Sequence, residues 1–258
     1  MTKSVARALL CLLMVLGLLA IALLDNGAFL PAAGKAQIED DGGLQAQADG
    51  SAQENAPKYI ALTFDDGPRA ETTAVLLEGL QQRGVHATFF LIGEQIEGNE
   101  WLVRWMAESG HQVGSHTFTH LKLQGSGRDS ILQEVNKTEV LLTNILGEGD
   151  YWLRPPYGLI DEAEKKLIKT PMIYWSVDPE DWKVLNADTV TERVCTHVQD
   201  GDIILLHDFY PTSVEAALRI VDRLQEEGYE FVTVKELFAL NGTKPEPGKL
   251  YCNAWELR

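Results

Sequence analysis

Tyr59-Ile60-Ala61-Leu62-Thr63-Phe64-Asp65-Asp66-Gly67-Pro68 is an apolar run that ends in two adjacent carboxylates and a Gly-Pro turn. Its residue types predict a strand with charged groups displayed at the carboxyl end. Four more polar clusters obey the same rule. His116 with His120, Arg154, Asp178 with Asp181, and His207 each stand just past the end of a predicted strand. In a β/α barrel the strand ends converge on one face, so residues about ninety positions apart in sequence can surround one substrate.

Working outward, the chain from Lys58 alternates short apolar runs with stretches of helical period, the signature of βαβ units. Seven strands are expected: Tyr59 to Phe64, Thr88 to Ile92, His111 to Ser115, Tyr151 to Leu153, Ile173 to Val177, Ile203 to Leu206 and Phe231 to Val234. Helices are expected over Thr72 to Arg83 before Gly84 and over Ile131 to Leu146 before Gly147. A third, with Val214, Ala217, Leu218, Val221 and Leu224 on its apolar face, stops at Gly228. The fold class is therefore α/β, with about seven parallel strands in one domain over residues 58–240. No internal repeat is visible. Residues 241–258 form a tail, Pro- and Gly-bearing between Thr243 and Gly248, expected to lie over the barrel rather than extend it.

The N-terminal end has another character. Lys3 and Arg7 precede an uncharged apolar run from Ala8 to Leu24. Residues 1–24 are thus expected to be a signal-anchor or a signal peptide, and the lack of a nearby Ala-x-Ala site favours the anchor. Either one puts the remainder outside the cytoplasm, and the basic residues favour a cytoplasmic N-terminus. Residues 25–57 are polar, small and aperiodic, which predicts a solvated linker. Residues 58–258 hold 19 basic and 32 acidic side chains, a net charge of −13. That balance argues against nucleic acid as a partner. Cys11 falls within the apolar run. Cys195 and Cys252 could form one disulfide in an oxidising compartment or remain two thiols.

Two adjacent carboxylates repel, so exposing Asp65 and Asp66 at a strand end is costly unless a cation or basic side chain neutralises one. Successive side chains there point to different sides, so one can hold a metal while the other faces water. The plainer alternative is a turn, because Asp-Gly-Pro is common turn chemistry. His116 and His120 shift the balance: spacing by four puts both imidazoles on one face of a helical turn, where they reach one ion. Two histidines and one Asp leave an open coordination position, as metal-assisted hydrolysis requires. His207, after the apolar Ile203-Ile204-Leu205-Leu206, suits a general acid in a partly desolvated setting. Asp178 or Asp181 could orient it, and spacing does not choose between them. Trp182 offers an aromatic wall for a sugar or apolar group. His111 is expected to be structural, and His86 and His197 receive no role.

Thr63 to Pro68, His116 to His120, Arg154-Pro155-Pro156-Tyr157-Gly158, Asp178 to Trp182 and Leu205-Leu206-His207 together resemble the five ordered motifs of polysaccharide deacetylases, the NodB-homology domain of carbohydrate esterase family four. The resemblance spans about Lys58 to Leu240, and nothing at these positions departs from the pattern of active members. It implies a seven-stranded distorted barrel, which agrees with the strand count. It also implies that Asp65 is the general base, that Asp66, His116 and His120 bind a divalent metal, and that His207 is the general acid. The metal is zinc first, with cobalt, manganese or nickel also acceptable. By the same resemblance Arg154 holds Asp65, Asp181 tunes His207, the Tyr157 amide joins the oxyanion site, and Tyr157, Trp182 and Leu205 line the acetyl pocket. The implied substrate is an N-acetylhexosamine polysaccharide; the extracytoplasmic placement puts peptidoglycan first, N-acetylglucosamine ahead of N-acetylmuramate, with chitin oligomers next, and the chain is expected to be a monomer. An O-acetyl xylan esterase and a catalytically silent sugar-binding module are the competing expectations.

Overall fold

The structure, a computed structural model, describes residues 57–254. The expected membrane segment 1–24 and the linker up to residue 56 lie outside the described residues. Among those described, no helix is long and apolar enough to cross a membrane. β1 (Lys58–Asp65) is followed by α1 (Ala70–Arg83), β2 (Thr88–Leu91), α2 (Gly93–Ile96), α3 (Glu100–Glu108), β3 (Gln112–Ser115) and α4 (Arg128–Leu146). A 3-10 turn at Pro156–Gly158, α5 (Glu162–Lys165), β4 (Met172–Ile173), α6 (Asp181–Val184) and α7 (Ala187–His197) lead to β5 (Ile203–His207). The chain closes with α8 (Pro211–Glu226), β6 (Tyr229–Phe231), α9 (Val234–Leu240) and β7 (Leu250–Tyr251).

The principal sheet runs β3-β2-β1-β5, with β6 paired to the first residues of β1, and every pairing is parallel. Single parallel bridges continue it, from Ser115 to Leu153, from Leu153 to Met172 and from Val177 to Ile204. Alternation along β1 explains the layers. Ile60, Leu62 and Phe64 enter the main core beneath the helices with Phe89, Leu91, Ile204 and Leu206. Ala61 faces the other way, into a second cluster with Phe90, Ile173, Ile203 and Phe238. Thr63 and Asp65 share the parity of Ala61, so they stand above that second cluster at the strand's carboxyl end.

Three expected elements differ from those observed, each for a local reason. Tyr151 to Leu153 contributes only the bridge at Leu153, because Pro155 and Pro156 supply no amide donors to prolong pairing. Between Ile173 and Val177 the ladder is interrupted, since the carbonyls of Ile173 and Tyr174 accept from the Arg154 guanidinium instead. The β-branched run Phe231 to Val234 ends as a strand at Phe231 because Thr233 and Glu236 form a capping box that starts α9. The tail does extend the sheet: Leu250 and Tyr251 pair in parallel with Met172 and Ile173. Cys195 and Cys252 are not bonded to each other.

His111 is buried beside Phe89, and its Nδ1 accepts the Ala87 N–H at 3.0 Å. That bond puts the proton on Nε2, which has no hydrogen-bond partner among the described residues. Burial first, and the neighbouring His86 second, push its pKa down to about 4. The unfolded chain therefore takes up a proton near pH 6.5 that the folded chain refuses until about pH 4. Stability should fall as pH drops through that window, by on the order of 3 kcal/mol. His111→Asn, which keeps an acceptor for Ala87 and cannot titrate, should flatten the decline in urea-unfolding midpoints between pH 7 and 4.

Candidate active site

β1 and β5 pair in register, so Asp65 and His207 are direct partners across one rung at the carboxyl end of the sheet. Asp65 is buried and its Oδ1 accepts from Nη1 of Arg154 at 2.8 Å. Arg154 is itself fully buried. Nη1 also donates to Thr63 Oγ1 at 2.7 Å, Nη2 to the Tyr174 carbonyl at 2.8 Å, and the guanidinium lies over the Phe90 ring. Burial pushes the Arg154 pKa down while the Asp65 carboxylate pushes it back up. The pair is thus fixed in position with one Asp65 oxygen left over, and that Oδ2 stands 3.7 Å from Nε2 of His116.

Asp66 leaves the strand with φ of 72°, which swings its side chain away from that of Asp65. Its Oδ1 lies 3.6 Å from His116 Nε2 and 3.4 Å from His120 Nε2, and donors from all three residues fall within 4.8 Å of one another. The two Asp66–histidine spacings are close to the edge of a tetrahedron around an ion with bonds of about 2.0–2.1 Å. Asp66 Oδ1 is buried and accepts no hydrogen bond among the described residues. His116 Nδ1 donates to the Arg154 carbonyl at 2.7 Å, so its Nε2 lone pair faces Asp66. Burial, then the neighbouring His116, lowers the His120 pKa and favours the neutral ring that a ligand must be. An orphaned carboxylate oxygen, an oriented imidazole and a neutral imidazole fit a divalent cation.

The two histidines do not reach this arrangement through a helical turn. His116 follows β3 directly, and Thr117 and His120 adopt φ of 66° and 61° in an irregular loop. Sequence reading missed what holds that loop. Glu134, on α4, accepts the Phe118 and Thr119 N–H groups through Oε2 at 2.9 and 2.7 Å and the Thr119 hydroxyl through Oε1 at 2.9 Å. Local sequence carried no sign of it, because its partners lie fifteen and sixteen residues away.

On the other side of Asp65, His207 Nδ1 contacts Asp181 Oδ1 at 2.8 Å, while Asp181 Oδ2 accepts the His207 backbone N–H at 2.8 Å. Asp178 instead accepts the Glu180 N–H, so the choice that spacing left open falls to Asp181. Burial acts to lower the His207 pKa, but Asp181 and the charges of Asp65 and Asp66 outweigh it and raise the pKa to about 9. Asp208, also missed, is fully buried, accepts from the Thr73 hydroxyl and lies against Gly67. A Cβ on Gly67 would come within 2.5 Å of that carboxylate, which explains glycine at this position. Tyr157 adopts φ of 60°, with its ring 4.7 Å from that of His120. The Tyr157 and Trp182 side chains are about half exposed, whereas Leu205 is buried opposite Thr63. Asp65 and His207 thus end β1 and β5, Leu205 lies within β5, and Asp66, His116, His120, Arg154, Tyr157, Asp181 and Trp182 lie on loops and short helical turns.

Comparison with known proteins gives a consistent set of likenesses. The family model described as polysaccharide deacetylase matches residues 52–171. Peptidoglycan-N-acetylglucosamine deacetylase PgdA of Listeria monocytogenes is 39% identical over 201 residues, which cover 78% of this chain and 42% of that protein. The chain therefore spans about two fifths of that relative's length. A peptidoglycan-N-acetylglucosamine deacetylase of Bacillus cereus is 38% identical over 186 residues, 69% of this chain and 68% of that one. Among solved structures, a family 4 acetyl xylan esterase from Clostridium thermocellum in complex with a cobalt ion matches with a TM-score of 0.74. It is 30% identical and covers 77% of this chain and 100% of its own.

Glu134 touches no ligand atom, so its removal should act through the His116–His120 loop. Glu134→Ala is expected to weaken zinc affinity about tenfold or more, read by titration against a chromophoric chelator. Unchanged affinity in a folded variant would show that the loop keeps its shape without the carboxylate.

Proposed function

The chain belongs to the polysaccharide deacetylase family, and from that premise we propose that it is a metal-dependent hydrolase acting outside the cytoplasm, which removes N-acetyl groups from peptidoglycan N-acetylglucosamine. The observation that carries this reading is the gathering of Asp66, His116 and His120 donors within 4.8 Å, beside the Asp65–His207 rung. Support for the sugar comes from the printed names of the Listeria and Bacillus relatives. The same reading takes residues 1–24 as the signal or anchor that delivers a catalytic domain at 58–240, with 25–57 as linker and 241–258 as tail. It also takes the sheet as a distorted barrel whose gaps are spanned by the bridges at Leu153 and Val177.

Asp66, His116 and His120 would hold the cation, zinc by preference, although two imidazoles and one carboxylate also accept cobalt, manganese or nickel. When bound, such an ion supplies Lewis acidity and makes water a stronger nucleophile at neutral pH. The protein's own residues do the rest. Arg154 keeps Asp65 aimed, so its free oxygen can take a proton from water as that water attacks the acetamide carbonyl carbon. The Tyr157 amide stabilises negative charge growing on the carbonyl oxygen. The carbon–nitrogen bond then breaks as His207 donates its proton to the departing nitrogen, since an amine anion is a very poor leaving group. Asp181 keeps that proton on His207 at neutral pH. Tyr157, Trp182 and Leu205 shape the pocket for the acetyl group and its sugar.

A second reading, ester cleavage on acetylated xylan, is favoured by the likeness to the Clostridium thermocellum esterase. Mass spectrometry of muropeptides, chitin oligomers and acetylated xylan after incubation with the protein separates the two. Loss of one acetyl group from muropeptides is expected, and acetate released from xylan alone would reverse the assignment. Asp65→Asn should retain metal and lose activity by at least about a hundredfold. An active variant would refute the base. Because Asp181 raises the His207 pKa, protonated acid is lost only at high pH. Asp181→Asn should therefore move the alkaline limb of kcat/KM downward by roughly 1–3 pH units.

A further inference from the structure

Far from the catalytic strand ends, basic side chains gather in a way the rest of the protein does not repeat. Three adjoining cavities of about 430, 420 and 530 Å³ meet around Lys169, which lines all of them. Their walls carry seven basic and three acidic side chains, although residues 58–258 as a whole have a net charge of −13. Two of the basic groups are paired, Lys165 with Glu162 at 2.8 Å and Lys235 with Asp150 at 3.2 Å. The other five, Arg128, Lys166, Lys169, Lys244 and Lys249, are exposed and form no side-chain hydrogen bond or ion pair among the described residues. Elsewhere Arg69, Arg83, Lys183, Arg193, Arg219 and Arg223 are bound to carboxylates, whereas Lys58, Arg104, Lys122 and Lys137, which form no ion pair among the described residues, stand on separate elements. Among the described residues, five of the nine basic side chains without an ion pair therefore stand at one place, in a stretch, 58–258, that holds 32 acidic residues.

The backbone that presents them is firmly held. Lys166 and Lys169 precede β4, and Lys244 and Lys249 precede β7, which pairs with β4 in parallel. Both loops therefore lie at the amino ends of their strands. Gly248 N–H donates to the Thr170 carbonyl at 3.1 Å, and Met172 N–H donates to the Lys249 carbonyl at 2.8 Å. Gly248 adopts φ of 74°, and a Cβ there would lie 3.0 Å from the Lys165 carbonyl, so the two loops are in close contact. The cations thus project from a fixed backbone frame.

We propose that this surface binds a linear polyanion, with phosphate groups seated between the lysines. Charge complementarity requires an anion, and the donor types select among anions. A guanidinium fork serves planar carboxylate and phosphate alike, whereas an ammonium binds phosphate as a point charge and does not match the two prongs of a carboxylate. Four of the five unpaired cations are lysines. A local site is required, because the net charge of the domain repels polyanions. The inference is independent of the catalytic reading, since none of these residues belongs to the catalytic or metal set.

The test measures binding of the purified full chain to fluorescent long-chain inorganic polyphosphate at 50 to 300 mM salt, beside poly-L-glutamate and vesicles of phosphatidylglycerol. Salt-sensitive binding to polyphosphate is expected, at least tenfold tighter than to polyglutamate. The variant Lys166→Gln/Lys169→Gln/Lys249→Gln should lose it at least tenfold at 50 mM salt, with the salt slope reduced by about 2 by the counterion-release rule for flexible polyanions. Activity on a small soluble substrate and thermal unfolding should be unchanged in that variant. Absence of polyphosphate binding, equal affinity in the variant, equal affinity for polyglutamate, or a variant that loses only vesicle binding would each overturn the proposal.

Discussion

A guanidinium sealed from water beneath the catalytic rung organises this molecule. Arg154 lies within the second apolar cluster, where an unpaired charge would be untenable, and its hydrogen bonds are spread over Asp65, Thr63, Ile173 and Tyr174. Breaking such a pair by removing one partner typically costs about 3–5 kcal/mol, because the other charge is left stranded. The same residue gives its carbonyl to His116. One side chain and one peptide unit therefore fix a carboxylate, an imidazole and the interrupted strand near Tyr174 at once. The sheet irregularity after Ile173 is the form the backbone takes when its carbonyls serve that charge.

The backbone around the site shows a related concentration of unfavourable geometry. Asp66, Thr117, His120, Tyr157 and Glu180 all have positive φ without being glycine, and each is a site residue or a neighbour of one. Such conformations cost of order 1–3 kcal/mol each and persist where surrounding contacts over-determine them. Here Glu134 braces the histidine loop, while Asp208 packs beneath the Asp65-Asp66-Gly67 turn. Rigid supports at these points allow three ligand atoms to stay near one another despite mutual repulsion and steric strain.

Much of this was legible in the sequence, because it rests on local patterns. The apolar runs of β1, β2 and β5 and the helices stopped at Gly84 and Gly147 follow from periodicity and capping. The polar residues at strand ends follow from topology alone. Residues whose role depends on distant partners were not legible: Glu134 reads as an exposed helix position, and Asp208 as a companion of His207. Phe231 to Val234 reads as a strand by residue type, yet Thr233 and Glu236 encode a helix start that only their pairing makes plain. The tail strand at Leu250 and Tyr251 is too short for any period to announce it.

Parallel pairing of β1 with β5 sets Asp65 across from His207, and adjacent strands lie about 4.8 Å apart. The sheet thus acts as a ruler between the Asp65 carboxylate and the His207 imidazole. Loops that bear Tyr157 and Trp182 can lengthen, shorten or change composition without altering that measure.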